Sequence, residues 1–254
     1  MRSLLFLTIA CLLCTTGLAQ VRPLSNAHAH NDYEHKRPLL DALGFGFTSV
    51  EADIYLIGNE LYVSHNYPKE LKGITLKELY LDPLQAILQK NKNKVYPGYN
   101  GVFYLMIDLK SDGVTTYNKL HELVSKYPEF KKNPNFTIFL SGKDLTYTFK
   151  MEDRIMAADG RPKDIGAGYA ISEMPVISES FSTVTGWKGK AEPSEAEWGK
   201  AEAFINAVHM DGRKCRLWAS PDNEAAWTRF LGYKMDFINT DKLKELAEFL
   251  GRTR

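Results

Sequence analysis

Apolar and polar residues alternate along several short segments of this chain, and segments with helical spacing lie between them. Residues 47–55 alternate with the period of a β-strand, which gives this segment one apolar face. Residues 102–110 form an apolar run that ends in charged residues, as is typical of a buried parallel strand. Residues 76–91 repeat their leucines near the period of an amphipathic helix. The order of strand and then helix recurs to the end of the chain. The pattern therefore predicts an α/β protein with a parallel sheet.

The predicted elements form a series of strand–helix units. The predicted strands span residues 24–30, 47–55, 61–65, 102–110, 136–141, 154–158, 174–178, 216–220 and 236–240. The predicted helices span residues 37–43, 76–91, 117–126, 195–210, 223–231 and 242–250. About eight parallel strands favour closure into a TIM-type (β/α)8 barrel, which we expect to be somewhat irregular in its middle part. A doubly wound open sheet is the alternative.

Two acidic residues share one face of the second predicted strand. The alternation sends Glu51 and Asp53 to one side and Val50, Ala52 and Ile54 to the other, where they suit packing against helices. Adjacent carboxylates on an inward face repel each other and lose hydration, so a partner must offset their charge. Oxygen ligands favour a hard divalent cation such as Mg²⁺ or Ca²⁺. The alternative is a pair of carboxylates on a half-exposed strand.

More ionisable residues lie at the ends of neighbouring predicted strands. His28 and His30 end the first strand, His65 ends the third, and Asp108 and Lys110 end the fourth. The carboxyl ends of barrel strands meet at one rim, where TIM barrels hold their active sites. We therefore expect these side chains to converge with Glu51 and Asp53, which favours the barrel over the open sheet.

The expected set of groups indicates metal-assisted cleavage of a phosphodiester. The three carboxylates make a site for Mg²⁺ or Ca²⁺. Two imidazoles on opposite sides of a phosphate can act as general base and general acid near neutral pH. The ammonium group of Lys110 can balance negative charge as the ester bond breaks. The nucleophile is either water or a neighbouring substrate hydroxyl.

The order H…E-x-D…H…D-x-K on the first four predicted strands resembles the phospholipase C-like phosphodiesterase superfamily. This superfamily includes glycerophosphodiester phosphodiesterases, phosphatidylinositol-specific phospholipases C and sphingomyelinases D, which are TIM barrels. The opening H-A-H-N-D-Y at residues 28–33 is similar to the subgroup called altered inheritance of mitochondria protein 6-like. The resemblance extends over most of the chain, to R-L-W at residues 216–218 and N-T-D at residues 239–241.

The resemblance implies roles for individual residues. It implies that Glu51, Asp53 and Asp108 are metal ligands, that His65 and one of His28 and His30 form the acid–base pair, and that Lys110 contacts phosphate. The usual glycerophosphodiesterase opening H-R-G with P-E-N-T is absent here. The third carboxylate is an aspartate, as in the sphingomyelinase D group, so the resemblance does not assign the substrate's head group.

Several further residues are candidates for binding substrate or for catalysis. His28 and His30 have the same parity, and His30 is favoured as the catalytic histidine because it lies nearer the strand end. Trp218 is predicted either to line the pocket or to fill a barrel layer. Asn239 is predicted either to bind substrate or to cap the last helix. Arg37, in the first loop, is a candidate contact for phosphate.

The first residues of the chain predict export. Residues 1–19 hold an apolar run at positions 4–13 and end in Gly-Leu-Ala, which is typical of a secretory signal peptide cleaved after Ala19. Residues 20–254 then form a single barrel domain, secreted or periplasmic, and lipoprotein anchoring through Cys11 or Cys14 is the lesser alternative. Cys215 would be the only remaining cysteine, so no internal disulfide is expected.

Charge and composition narrow the expected partners. The chain has 32 basic and 31 acidic residues and no basic stripe, which argues against nucleic acid as a partner. No transmembrane segment follows residue 19, although transient contact with a membrane surface is compatible with a phospholipid substrate. We expect a monomer.

Two other functions are compatible with parts of the pattern. A first-strand H-x-H also opens many TIM-barrel amidohydrolases, whose zinc sites need further histidines on middle strands. Here only His121 and His209 follow His65, and both lie in predicted helices. The other alternative is a non-catalytic secreted binding protein on the same scaffold, since a fold does not by itself imply catalysis.

Overall fold

Eight parallel strands form a sheet that curls into a nearly closed barrel with helices on its outer side. The computed structural model describes residues 21–69, 71, 74–142, 145, 148 and 153–252, so the predicted signal segment lies outside the described residues. The strands of this part of the chain are β1 (Leu24–Ala29), β2 (Phe47–Ile57), β3 (Glu60–Val63), β4 (Phe103–Leu109), β5 (Phe136–Gly142), β6 (Ala157–Gly160), β7 (Val176–Ser180), β8 (Lys214–Trp218) and β9 (Ile238–Thr240).

The helices pack around this sheet. They are α1 (Leu40–Gly44), α2 (Asp82–Lys90), α3 (Gly113–Val124), α4 (Phe181–Thr185), α5 (Glu195–Met210), α6 (Glu224–Gly232) and α7 (Leu243–Arg252). A π-helical turn at Lys77–Leu81 precedes α2, and single 3-10 turns lie at Asp32–Glu34, Pro128–Phe130 and Pro162–Asp164. Among the described helices, none combines the length and the apolar content needed to cross a lipid bilayer.

The strand order confirms the predicted barrel. Hydrogen-bonded neighbours run in the order β8-β7-β6-β5-β4-β2-β1-β9. A parallel bridge between Arg216 of β8 and Phe237, just before β9, brings the two ends of this series together. The open, doubly wound sheet is therefore wrong for this chain.

The strand faces separate two apolar clusters. The inner cluster consists of Tyr104, Met106, Phe139, Ala157, Val176 and Phe237. Val50, Ala52 and Ile54 are fully buried in a second, larger cluster that includes the inward-facing residues of the helices. The predicted parity of β2 is thus confirmed on its apolar face, and the inner cluster forms a packed floor beneath the barrel mouth.

The third predicted strand is not a barrel strand, which corrects the sequence-based assignment. β3 pairs antiparallel with β2, and Ile57 lies opposite Glu60 across a two-residue turn. Such a short turn can only reverse the chain, because a parallel strand needs a long crossover. The amide of Ser64 then donates to the carbonyl of Asp53 (3.1 Å), so the residues after β3 return to the end of β2.

Element boundaries shift most in the middle of the chain. β6 begins three residues later than predicted and β7 begins two residues later. Ahead of β6, Arg154 forms an ion pair with Glu173 (3.2 Å), and the carbonyl of Glu173 accepts a bond from the amide of Ala158. α4 was not predicted. By contrast, α5 has the predicted bounds, because Ser194 and Glu197 form the capping box that starts it.

Candidate active site

Three carboxylates meet at the carboxyl ends of β2 and β4. Glu51 and Asp53 lie on the same face of β2, and Asp108 is the register partner of Asp53 on β4. One oxygen from each of the three carboxylates lies within 4.8 Å of the others. Glu51 and Asp53 are buried, so their mutual repulsion is not relieved by water. The structure therefore brings together the three residues that the sequence singled out.

Asp53 uses its two oxygens differently. Its Oδ2 accepts hydrogen bonds from the Tyr33 hydroxyl (2.8 Å) and His65 Nδ1 (3.1 Å), and it lies 3.0 Å from Lys110 Nζ. Its Oδ1 is buried and has no hydrogen-bond partner among the described residues. Burial and the charge of Glu51 raise the pKa of Asp53. A buried oxygen without a partner is costly, and a cation would remove that cost.

Two basic side chains offset part of the negative charge. Lys110 Nζ lies 2.6 Å from an oxygen of Asp108 and also contacts Asp53. Burial opposes its charge, but its bonds with Asp108 raise the pKa of Lys110 above its ordinary value. Arg216 donates from its terminal nitrogen to Glu51 Oε2 (2.7 Å). Burial alone would raise the pKa of Glu51, yet Arg216 and the His28 bond hold it well below its usual range.

The residues present fit a divalent cation. Glu51, Asp53 and Asp108 would hold it, since hard cations take carboxylate oxygens and their three reachable oxygens already cluster. The unpartnered Asp53 Oδ1 is the observation that supports this fit. In the described part of the chain, no histidine or cysteine belongs to the cluster, which favours oxygen-preferring ions over zinc.

The two first-strand histidines have different environments. His28 is fully buried, with Nδ1 at 2.7 Å from the Ser49 hydroxyl and Nε2 at 3.2 Å from Glu51 Oε2. Burial and the nearby charge of Arg216 lower the pKa of His28 to about 4, so its ring is neutral at physiological pH. Both ring nitrogens are used inside the protein. His28 therefore supports Glu51 from beneath the cleft.

His30 lines the cleft and is held from one side. Its Nδ1 lies 2.7 Å from an oxygen of Asp241, and since a carboxylate only accepts, Nδ1 carries the proton. Nε2 has no hydrogen-bond partner among the described residues. Burial alone would lower the pKa of His30, but the bond to Asp241 and the charge of Glu51 raise it. This arrangement leaves Nε2 available for proton transfer.

His65 reaches the same cleft from the β2–β3 hairpin. Its Nδ1 lies 3.1 Å from Asp53 Oδ2, and the Tyr33 hydroxyl lies within 3.4 Å of the same nitrogen. The side chain is half exposed. His30 and His65 are thus anchored in the same way, each through Nδ1 to a carboxylate, with the opposite edge of the ring left for substrate.

These groups line a cleft of about 400 Å³ at the barrel mouth. The ionisable residues that line it are His30, Glu51, His65, Asp108, Lys110, Arg161 and Arg216. Asn31, Met106, Ser141, Gly142, Trp218 and Ala219 complete the lining. The volume suits a phosphodiester with a small head group.

Gly142 has a specific role at this position. Its φ is +120°, and a Cβ atom there would lie 2.9 Å from the carbonyl oxygen of Leu109 and 3.2 Å from an oxygen of Asp108. A larger residue would therefore push into the acidic cluster, and only glycine lets β5 pass this close.

The predicted substrate contacts lie in three different places. Trp218 lines the cleft and is 40% exposed. Asn239 is buried and accepts a bond from Arg216 Nε (2.9 Å), so it orients the guanidinium that holds Glu51. Arg37 is largely exposed, pairs with Asp41 at 2.7 Å, and does not line the cleft. The structure gives Arg37 no contact with the site.

The downstream histidines do not extend the site. His121 on α3 donates from Nε2 to the carbonyl of Asp153 (3.1 Å), and His209 Nε2 on α5 lies 2.8 Å from an oxygen of Asp236. Neither lines the cleft, so the additional imidazole ligands that the zinc amidohydrolase alternative requires are not provided.

Sequence reasoning did not assign roles to Arg161, Arg216 and Asp241. Arg216 and Trp218 are two positions apart on β8 and therefore lie on the same face of the strand. Since Trp218 was a candidate for the cleft, this spacing could have indicated Arg216 as well. Arg161 directly follows β6, whose end was placed too early, so its position at the rim was hidden. Asp241 entered only as the last residue of the N-T-D resemblance at residues 239–241, whereas it holds His30.

Known proteins share both the sequence features and the fold. Residues 16–139 match the model of the AIM6-like phosphodiesterase domain, and residues 214–244 match the glycerophosphoryl diester phosphodiesterase family. Altered inheritance of mitochondria protein 6 from Lachancea thermotolerans is 37% identical over 89% of this chain and 66% of its own length. The protein of that name from Eremothecium gossypii is 29% identical over 89% of this chain and 69% of its own length. The chain thus spans about two thirds of these relatives.

A solved structure matches over nearly the whole chain. It is a glycerophosphodiester phosphodiesterase from Parabacteroides distasonis, with a TM-score of 0.56 and 14% identity, covering 92% of this chain and 100% of that chain. At this identity the match shows the fold. The family matches identify the barrel as a phosphodiesterase domain. The chain belongs to the phospholipase C-like phosphodiesterase superfamily, among its AIM6-like domains.

Proposed function

We propose that the protein is an exported, divalent-cation-dependent phosphoric diester hydrolase acting on a glycerophosphodiester or a phospholipid-type substrate. The observation that carries this proposal is the convergence of Glu51, Asp53 and Asp108 beside two imidazoles and Lys110 in one cleft. Mg²⁺ and Ca²⁺ are the cations that this ligand set prefers. When bound, such a cation polarises a phosphoryl oxygen and makes phosphorus more electrophilic.

His30 is the proposed general base. Asp241 fixes its ring with the proton on Nδ1 and stabilises the imidazolium that forms when Nε2 takes a proton. The proton comes from the attacking hydroxyl, whether this belongs to water or to a neighbouring group of the substrate. The buried His28 has no free nitrogen for this step.

His65 and Lys110 act on the leaving side. His65 is anchored by Asp53 through Nδ1, so Nε2 is the atom that protonates the departing oxygen. Lys110, held by Asp108, keeps its ammonium charge beside the phosphate and stabilises the negative charge that develops. Tyr33 donates to Asp53 and keeps it in place while His65 gives up its proton.

Export rests on a separate observation. Residues 1–19 combine an apolar run with small residues at the predicted cleavage site. We expect the mature protein to begin at Gln20 and to be secreted or periplasmic. Amino-terminal sequencing of the protein from fractionated producing cells measures this directly, and an intact Met1 in the cytoplasmic fraction would contradict it.

The catalytic proposal is tested by turnover. The purified protein is freed of cations with a chelator and then assayed with Mg²⁺, Ca²⁺ or Mn²⁺ on glycerophosphodiesters, inositol phospholipids and lysophospholipids. We expect cation-dependent release of a phosphomonoester or a cyclic phosphate, identified by phosphorus NMR. Absence of turnover on every substrate with every cation would contradict the proposal and favour a binding protein.

A further inference from the structure

One guanidinium in the cleft is held rigidly by the protein but has no role in the chemistry proposed above. Arg161 follows β6, and one third of its side chain is exposed to the cleft. Its terminal nitrogens donate to the buried carboxylate of Asp159 (2.8 Å), the carbonyl of Gly160 (3.0 Å) and the hydroxyl of Ser141 (3.2 Å). Asp159 is buried beneath it, so the pair is a built feature of the rim.

The guanidinium keeps part of its bonding capacity for a ligand. The side chain of an arginine has five N–H donors. The side-chain bonds of Arg161 to the described residues are made by its two terminal nitrogens, whereas its Nε–H donates to none of these residues. Fixing the side chain in advance reduces the entropy that a ligand must overcome on binding. A planar fork of N–H groups suits a carboxylate or a phosphate.

The distance between Arg161 and the three carboxylates determines how long such a ligand must be. Asp108 on β4 is the register partner of Ser141 on β5, and Arg161 bonds to Ser141 from the next strand. One to two strand spacings therefore separate the guanidinium from the acidic cluster, about 5 to 10 Å. A phosphodiester bound at the cluster can place a group on a short linker against Arg161.

The basic side chains of the cleft determine which kind of group suits this position. Arg161, Arg216 and Lys110 all line the cleft. A quaternary ammonium head group is normally held by several aromatic rings. Among the described residues that line the cleft, Trp218 is the only Phe, Tyr or Trp. A cationic head group would meet like charges here, and an anionic group would meet unused donors.

We propose that Arg161, positioned by Asp159 and Ser141, forms a subsite for a second anionic group on the substrate's head-group alcohol, either a carboxylate or a phosphomonoester. This inference rests on the proposed function for its phosphodiester substrate. It makes the enzyme selective for anionic over neutral and cationic head groups.

Three matched esters test the selectivity. p-Nitrophenyl phosphodiesters of 3-hydroxypropionate, 1-propanol and choline present an anionic, a neutral and a cationic group on linkers of similar length. For the wild-type protein we expect kcat/KM to fall in that order, with about tenfold or more between the anionic and the neutral ester, as charge-assisted hydrogen bonds provide. In Arg161→Gln the ratio between these two esters should approach one.

A binding measurement separates the subsite from catalysis. Calorimetry with Mg²⁺ present compares 2-carboxyethyl phosphate with propyl phosphate, neither of which is a phosphodiester. The wild-type protein should bind the first about tenfold more tightly, and Arg161→Gln should bind both equally. If this preference holds but no diester is cleaved, the proposed function fails and the subsite stands. If diesters are cleaved without any preference, the subsite fails and the proposed function stands.

Two further variants keep the test decisive. Arg161→Gln leaves Asp159 buried without its partner, so the double variant Asp159→Asn/Arg161→Gln removes both charges and should lose the same preference while folding. Arg154→Gln is the matched control, because Arg154 lies before the amino end of β6 and pairs with Glu173 there. It should keep the wild-type order of the three esters. Loss of that order in Arg154→Gln, or its retention in the double variant, would overturn the proposal.

Discussion

The two ends of the barrel carry similar groups of residues, in which the central aspartate is hydrogen-bonded differently. At the amino end, Asp236 binds Lys214 through Oδ1 (3.0 Å), and His209 (2.8 Å) and the amide of Cys215 (2.9 Å) through Oδ2. At the carboxyl end, Asp53 also has a lysine and a histidine beside it. There, three groups share Oδ2, and Oδ1 has no hydrogen-bond partner among the described residues.

The pairing of the carboxylate oxygens distinguishes a cluster that stabilises the fold from one that suits a ligand. The cluster at Asp236 is complete, because both carboxylate oxygens are paired within the protein, and breaking it should cost folding stability. The cluster at Asp53 is incomplete, because one oxygen is buried without a partner beside two other carboxylates. An arrangement that destabilises the fold on its own is typical of a ligand site. Residue types alone do not distinguish the two clusters, whereas the use of each oxygen does.

The largest expected effect is that of Asp53→Asn. We expect kcat to fall about 10³-fold, because the variant removes a cation ligand and the anchor of His65. Burial and Glu51 raise the pKa of Asp53, so its charged form destabilises the cation-free fold at pH values above that pKa. The free energy of unfolding of the cation-free variant should therefore be unchanged or higher, as measured by urea denaturation.

Added cation provides the control for Asp53→Asn. Mg²⁺ or Ca²⁺ should raise the Tm of the wild-type protein and should leave the Tm of the variant nearly unchanged, since a ligand stabilises only the state that binds it. Equal Tm shifts in both proteins would exclude Asp53 as a ligand.

The next largest effects are expected for the two histidines of the cleft. His30→Ala and His65→Ala should each lower kcat by about 10²- to 10⁴-fold, the usual contribution of a general acid or base. Both variants should keep the cation-dependent rise in Tm, because neither histidine belongs to the acidic cluster. His35→Ala is the control, since this partly buried histidine does not line the cleft and its loss should leave steady-state rates unchanged.

A smaller effect is expected for Asp241→Asn. The bond from His30 to Asp241 raises the pKa of the histidine, so removing the carboxylate should lower that pKa. A general base must be unprotonated, so the acidic limb of the kcat/KM profile should move to lower pH. We also expect kcat to fall about tenfold through loss of orientation. An acidic limb that stays in place would assign it to another group.

The smallest effect on catalysis is expected for Asp236→Asn. This change should lower the free energy of unfolding by about 1 to 3 kcal/mol, because it weakens bonds with His209, Lys214 and the Cys215 amide. The kcat of the folded variant should stay at the wild-type value. A loss of activity without a loss of stability would contradict the assignment of this cluster to folding.

Sequence patterns were sufficient for the features set by local periodicity. The alternation in β2 placed Glu51 and Asp53 on one face and Val50, Ala52 and Ile54 on the other, and the same rule placed Asp108 beside them. The strand–helix order predicted the barrel. These features follow from the geometry of a strand and of parallel crossovers, which local sequence encodes.

Contacts between residues far apart in the sequence could not be predicted from local patterns. The bond between Arg216 and Glu51 joins residues 165 positions apart and forms only when the barrel closes. His28 and His30 are two positions apart, so strand periodicity could not distinguish them. They differ in burial, because His28 is fully buried and His30 lines the cleft. Arg161 was hidden by the uncertain end of β6 in a segment rich in glycine and proline.

The β2–β3 hairpin carries His65, the proposed proton donor, at its carboxyl end. Eight parallel strands and their crossovers form the rest of the rim, whereas His65 follows β3, which lies outside this series and pairs with β2 and, through a Tyr62–Thr75 bridge, with the segment before the π-helical turn. Insertions or substitutions at the tip of this hairpin, around Gly58, can therefore shift the proposed proton donor while the parallel strand pairing of the barrel is kept. Evolution and protein engineering can in this way retune the leaving-group preference of the enzyme while the barrel itself stays intact.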